Sequence, residues 1–327
     1  MHIKDTLCLC FVALFALCAV SVASAEDAFP ARPIKVVVPF AAGGTADIVA
    51  RLVVDGVAPA THWNLFVEDM PGAGGSIGES VAARAPADGY TLVLCNVSCA
   101  ANKYLTENAG FDPKTDLAPV SLIGTVPSIL VASPSLPVQT LPEFLAYARA
   151  KPKQVSMASG GLGSTSHLSG ELMRFLAKID VVDVAYRGST GALPDLAAGR
   201  VDAMITGLPE ALPLIRGGKL KGLGVTATER LSLLPDVPTI AEAVPGYSFD
   251  GWLALFAPRG TPAAAITALN RAVNAALQSP DLIARFASQT VKPSDGAPEA
   301  AGALLAHEVA LWGDVLAKRG EPIASPR

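Results

Sequence analysis

Short runs of β-branched and aliphatic residues alternate along this chain with segments whose apolar residues recur every three or four positions. Ile34 to Val38 is the first run, and it stops at Pro39, which has no N–H to give to a strand ladder. A loop of small residues with adjacent glycines, Gly43 and Gly44, comes next. From Asp47 the spacing of Ile48, Val49, Leu52 and Val53 predicts a helix with one apolar face, closed near Pro59. The same grammar recurs. Strands are predicted over His62 to Glu68, Thr91 to Cys95, Val155 to Ala158, Val181 to Tyr186, Val201 to Ile205 and Leu220 to Thr226. Helices are predicted from Glu79, over Leu141 to Ala150, and from His167, Gly191 and Ala211 onward. Strands alternating with helices argue for mostly parallel sheets covered on both faces, an α/β fold.

Two stretches break this rhythm. Val120 to Val131 is a long apolar run interrupted by Gly124 and Pro127, and Trp252 to Ala257 is a second buried-strand pattern. Both read as crossings between two domains. Residues 26–125 with 251–327 then form one domain, and residues 126–250 form the other. Three helical segments close the chain. The last, Pro298 to Lys318, carries Leu304, Leu305, Val309, Trp312, Val315 and Leu316 as its apolar set.

A length of 327 residues supports two domains with a core in each, and 51% hydrophobic against 17% charged residues excludes a disordered chain. The net charge of −4 argues against nucleic acid as a partner, yet a local nest of backbone N–H groups holds an anion whatever the net charge. His2 and Lys4 precede an apolar stretch from Leu7 to Val22, and Ala23-Ser24-Ala25 fits a small-x-small cleavage site. Residues 1–25 therefore read as a cleaved export signal, and the mature chain as a soluble exported protein. Removal deletes one lysine and one aspartate and leaves the charge unchanged. Cys95 and Cys99 then remain. Export permits a disulfide between them, two inert thiols are the alternative, and a pair is only half of an ordinary zinc set. His62, His167 and His307 show no paired metal spacing, so neither a metal nor a cofactor is expected.

Three glycine loops each follow a predicted strand: Ala41 to Thr45, Pro71 to Gly78, and Ser159 to Ser166. Glycine lets backbone approach a ligand, and the serines and threonines add hydroxyls and helix caps. With two loops in one half and one in the other, facing halves would grip a small acid beyond the carboxyl ends of the strands. Enzyme motifs fit poorly. Ile77 takes the place of the third glycine in a dinucleotide fingerprint, and no nucleophile elbow surrounds Ser98, Ser164 or Ser166. Ser164, Ser166 and His167 have no assignable acid partner, so loop and cap roles are preferred over a triad. Asp47 is read either as a helix cap or as a group in the cleft, and Phe40 as pocket wall or core. Arg187 is read as facing an anion or solvent, and Trp252 as core.

The chain resembles the periplasmic solute-binding receptors of the tripartite tricarboxylate transporter system, including the Bordetella uptake gene proteins. The resemblance rests on Arg32-Pro33-Ile34 leading into Val38 to Asp47, on Pro71 to Gly78, and on Pro86-Ala87-Asp88-Gly89-Tyr90-Thr91-Leu92. It continues through Phe111-Asp112-Pro113, Gly163 to Leu168, Tyr186-Arg187-Gly188, Leu234 to Thr239 and Ala257 to Pro262. It implies a type II, Venus-flytrap periplasmic binding protein with two interdomain crossing strands. Such a protein is monomeric, is no enzyme, closes on a small organic carboxylate, and delivers it to the membrane subunits of the transporter.

The resemblance also implies a ligand-binding set. Phe40, Ala42, Gly43, Gly44, Thr45 and Asp47 come from the first loop, and Gly161, Gly163, Ser164 and Thr165 from the third. Ser98, Cys99, Tyr186 and Arg187 approach the same cleft. The chain departs from the pattern at His62-Trp63, Asp69-Met70 and Cys99; the last departure bears on ligand choice. Two other readings are carried forward: a secreted α/β hydrolase of small esters or acids, and a periplasmic sensory binding protein.

Overall fold

The computed structural model describes residues 29–105, 110–249, 251–294 and 296–318. The expected leader, residues 1–25, lies outside them. The described residues from Arg32 onward form one compact unit. Within it stand two mixed sheets flanked by helices, the two-lobed architecture of a Venus flytrap.

The first sheet draws on β1 (Ile34–Val38), β2 (Leu65–Asp69), β3 (Thr91–Cys95) and β4 (Leu117–Thr125). The second holds β5 (Ser128–Ala132), β6 (Ser156–Ser159), β7 (Val182–Ala185), β8 (Ala203–Gly207) and β9 (Lys221–Val225). The chain then returns to the first sheet with β10 (Trp252–Pro258) and β11 (Lys292–Pro293). The orders are β11-β4-β10-β3-β1-β2 and β7-β6-β8-β5-β9.

The expectation of mostly parallel sheets is corrected in one respect. β1 pairs in parallel with β2 and β3, and β6 with β7 and β8, as βα units require. β10 instead lies antiparallel between β3 and β4, and β5 antiparallel between β8 and β9. Each reversed strand is the one that arrives from the other lobe. A chain crossing at the cleft runs away from it, whereas strands of βα units run toward it. The run read as one crossing from Val120 to Val131 is thus two strands, β4 and β5, parted at Val126-Pro127. The two crossings also bond to each other, Val126 N–H donating to the Gly251 carbonyl at 2.7 Å.

The parallel strands therefore point their carboxyl ends, and the amino ends of the helices that follow, at the cleft between the sheets. Burial fixes this placement. The Thr45–Thr61 helix sinks Ala46, Val49, Ala50, Val53, Val54 and Val57 against its sheet. It starts at Thr45 and passes through Pro59 to Thr61, because a proline in the last turn removes only one hydrogen bond from the ladder. Ile34, Leu92, Leu94, Ile123 and Phe256 fill the first lobe, and Ile129, Leu130, Leu141, Phe144 and Leu168 the second. Fully burying one such side chain contributes about 1.5–3 kcal/mol. The Pro298–Lys318 helix lies on β4 and on the Val97–Leu105 helix, burying Leu305, Val309 and Trp312.

Candidate binding site

A cavity of about 90 Å³ opens between the lobes. That is room for roughly six to nine water-sized groups. Four helices begin at its wall: Thr45–Thr61, Thr165–Ala177, Ser189–Ala197 and Leu208–Arg216. Each follows a strand that ends at the cleft, so each presents first-turn N–H groups there. Gly44 and Gly188 cap two of these helices without any side-chain hydrogen bond. Ser164 caps its own helix, its Oγ accepting from His167 N–H at 3.3 Å. The fourth start is served by Glu210, whose Oε1 accepts from Gly207 N–H at 3.2 Å.

The lining is polar without being cationic. Thr45, Asn96, Ser128, Ser164, Thr165, Ser166, Ser189 and Thr206 bring hydroxyls and one amide, and Phe40, Val126, Trp252 and Leu253 bring apolar wall. Among the described residues no lysine or arginine lines it, and Glu210 is the one carboxyl group that does. Among the described residues, Thr45 Oγ1, Thr165 Oγ1 and Trp252 Nε1 are buried without a protein hydrogen-bond partner, and all three residues line this cavity. A buried polar atom left unpaired costs about 1–3 kcal/mol, so three of them on one cavity mark a place built for a polar guest.

The expected residues fall into three groups. Phe40, Gly44, Thr45, Ser164 and Thr165 line the cavity. Gly161, Tyr186 and Arg187 line a second pocket of about 100 Å³, on the far side of Phe40, Ala41, Gly160 and Gly188, which both spaces share. Arg187 is exposed there, and Tyr186 Oη is taken up by Asp195 at 2.8 Å.

The remaining residues stand behind the wall. Ala42 and Gly43 are at the exposed loop tip. Asp47 accepts from Gly43 N–H at 2.8 Å and pairs with Arg51 at 2.6 Å, so it holds the loop's shape. Gly163 backs onto Asn102 of the other lobe. Ser98 and Cys99 are wholly buried in the Val97–Leu105 helix, and Asn96, just ahead of them, reaches the cavity instead. Cys95 and Cys99 are joined by a disulfide with Cα atoms 5.7 Å apart, which ties Cys99 to the end of β3.

Sequence reasoning passed over Asn96, Ser128, Ser189, Thr206 and Glu210 as site residues, and preferred core over a stacking platform for Trp252, which is both buried and part of the cavity wall. Thr206 and Glu210 flank the end of a predicted strand, the position at which the other loops were singled out, but without a glycine run to mark them. The three residues suggestive of a triad form a local network. Ser164 Oγ and Ser166 Oγ lie 3.0 Å apart, and His167 Nδ1 accepts from Gly163 N–H at 3.4 Å.

Two acids at and behind the cavity wall have raised pKa values. Glu79, entirely buried behind Gly75 and Phe40, is pushed up to about 8 by desolvation, against the hydrogen bond it accepts from Asn102 Nδ2 at 2.9 Å. Glu210 is raised above the usual carboxylate range by desolvation, and hydrogen bonds from Thr206, Ser189 and Gly207 oppose the rise.

Comparison with known proteins meets this geometry. Residues 49–321 match the model of the tripartite tricarboxylate transporter family receptor. BugT of Bordetella pertussis is 36% identical over 297 residues, covering 90% of this chain and 91% of that protein. The structure of Rhodopseudomonas palustris Rpa4515 with adipate superposes with a TM-score of 0.84 at 37% identity, over 88% of this chain and 97% of its own. MatC from the same organism, with bound malate, gives 0.82 at 36% identity, over 88% and 99%. With a family model spanning most of the chain, relatives above 30% identity over most of both lengths, and the same two-lobed architecture, this chain belongs to the tripartite tricarboxylate transporter family receptors, periplasmic proteins that bind a solute and do not transform it.

Proposed function

We propose that the protein captures a small organic carboxylate between its lobes and presents it to the membrane subunits of a tripartite transporter. The observation that carries this reading is the trio of unpaired buried groups, Thr45 Oγ1, Thr165 Oγ1 and Trp252 Nε1, on residues that line one cavity at which four helices begin. Helix amino ends and hydroxyls stabilise an anion without a cation, and about half an elementary charge is concentrated at each such end. Relatives at 37% and 36% identity that hold adipate and malate support the ligand class. Phe40, Gly44, Thr45, Ser164 and Thr165 make the ligand contacts, and Gly161, Tyr186 and Arg187 line the mouth. Residues 26–125 with 251–327 close on residues 126–250 about the paired crossings, and residues 1–25 are removed on export.

Isothermal titration of refolded, ligand-stripped protein against mono-, di- and tricarboxylates tests this. One-to-one binding of an acid is expected. Thr45→Val and Thr165→Val each weaken it about tenfold, the value of roughly one hydrogen bond to a charged group, while the melting temperature of the free protein holds or rises. Full affinity in both variants would remove the carboxylate from this cavity.

A further inference from the structure

Glu210 is an unexpected residue in a cavity otherwise arranged for an anion. It belongs to the second lobe, three residues into the Leu208–Arg216 helix, where Gly207 N–H and Thr206 Oγ1 both donate to its Oε1. These bonds hold Oε1 toward the helix start. Oε2 is turned the other way: it accepts from Ser189 Oγ at 3.1 Å, and a methyl built on Gly44 of the first lobe would lie 3.7 Å from it. Oε2 thus reaches across the cleft to the uncapped start of the Thr45–Thr61 helix. Two ionised carboxyl groups in one small space, with no lysine or arginine among the described residues that line it, repel unless a proton or a hydrogen-bond donor stands between them.

Resting on the carboxylate reading above, we propose that Glu210 is the specificity-determining residue of the cavity: it accepts from a donor, ammonium or hydroxyl, on the carbon next to the cargo's carboxylate. The class of cargo is then an α-amino or α-hydroxy acid. Its carboxylate meets the N–H groups and hydroxyl at the Thr45 helix start, and its α-substituent lies between that carboxylate and Oε2. An α-ammonium brings a positive charge that no described lining residue supplies, and an α-hydroxyl brings the donor alone. An acid with neither group is accommodated only if a proton is taken up between its carboxylate and Glu210. A site built around a hydrogen-bond acceptor discriminates strongly against the analogue that lacks the donor. Carbon chains beyond the α-position lie along Phe40, Val126 and Leu253.

The test is titration with matched acids of four and six carbons: 2-aminobutyrate, 2-hydroxybutyrate, butyrate and succinate, then norleucine, 2-hydroxyhexanoate, hexanoate and adipate. Wild-type protein is expected to bind an α-amino or α-hydroxy acid at least tenfold more tightly than the unsubstituted monoacid and the diacid of the same length. Glu210→Gln keeps an acceptor for Gly207 N–H, so the helix start is retained. It is expected to cut the preference for the α-amino acid at least tenfold, the α-hydroxy preference less, and to gain affinity for the diacid. A wild-type protein that binds the plain monoacid or diacid as tightly as its α-substituted partner overturns the proposal and leaves the carboxylate reading intact. An unchanged ranking in Glu210→Gln does the same. Silence from folded protein toward all eight acids and the wider carboxylate panel overturns both readings together.

Discussion

Gly207 ends β8 in the second lobe and lies against Thr45 of the first. A Cβ built on it falls 1.9 Å from Thr45 Oγ1 and 2.8 Å from Thr45 Cβ. Rotating the threonine side chain moves Oγ1 away but leaves Cβ in place, so the lobes themselves must part. The backbone at Gly207, φ −59° and ψ 136°, suits alanine without strain. The Gly207→Ala variant therefore separates closure from folding. Within its own lobe the methyl is tolerated, and the reduced freedom of the unfolded chain stabilises the free protein by up to about 1 kcal/mol. Against the closed arrangement it acts as an overpacked core substitution, at about 1–3 kcal/mol. Since binding draws the receptor toward the closed state, that penalty appears in full as lost affinity, roughly 5- to 150-fold in Kd.

Titration calorimetry with the acid found for the wild type reads the affinity, and a thermal melt of the free protein reads the fold. Small-angle scattering reads closure, which the variant should complete only in part at saturation. Gly191→Ala is the control, because its added carbon meets nothing nearer than Tyr186 Cδ1 at 4.0 Å, and it should bind as the wild type does. A Gly207→Ala protein with wild-type affinity and a wild-type compaction on binding would refute the claim that these two residues meet in the ligand-bound state.

Two further outcomes follow from groups behind the cavity. Glu79 titrates near 4.5 in the unfolded chain and at about 8 when folded, so between those values the folded state holds the extra proton. Its contribution is fully present below about pH 4.5 and is lost as pH rises through 8, on the order of 5 kcal/mol in total. Urea midpoints at pH 5 and pH 8 should differ less in Glu79→Gln than in the wild type, and an equal difference would place no proton on Glu79. The Cys95–Cys99 disulfide closes a loop of separation 4, which limits its entropic contribution to about 2 kcal/mol. Reductant should lower the melting temperature by several degrees and change ligand affinity less than twofold, since neither cysteine lines the cavity. A tenfold affinity loss on reduction would show that the Val97–Leu105 helix start sets the position of Asn96.

Much of the architecture is legible in the chain because burial imposes periods on it. The β-branched runs ending in Pro39 or in a glycine loop, and the helical spacing of Val49, Val53 and Val57, follow from which faces must leave water. The Val97–Leu105 helix was passed over for the same reason. It is short, it follows β3 after a single residue, and its first turn, Val-Ser-Cys-Ala, carries no periodic signal of its own. The reversed direction of β5 and β10 was equally hidden, since a strand's apolar pattern is the same read either way.

The sequence by itself determined the alternation of strands and helices, the three glycine loops at strand ends, and the motifs that carry the family. Only the tertiary structure decided which side chains share the cavity. Phe40 and Thr45 reach it from the first loop, while Asp47 turns back to hold Gly43; Asn96 reaches it, while Ser98 and Cys99 are buried beside it. Glu210, Thr206 and Ser189 enter from segments without a glycine signature. The physical reason is that local patterns report which face of an element leaves water, a property each segment has alone. Membership of a cleft depends on what lies across it, and a residue such as Gly207 acquires its constraint only when Thr45 arrives from the other lobe.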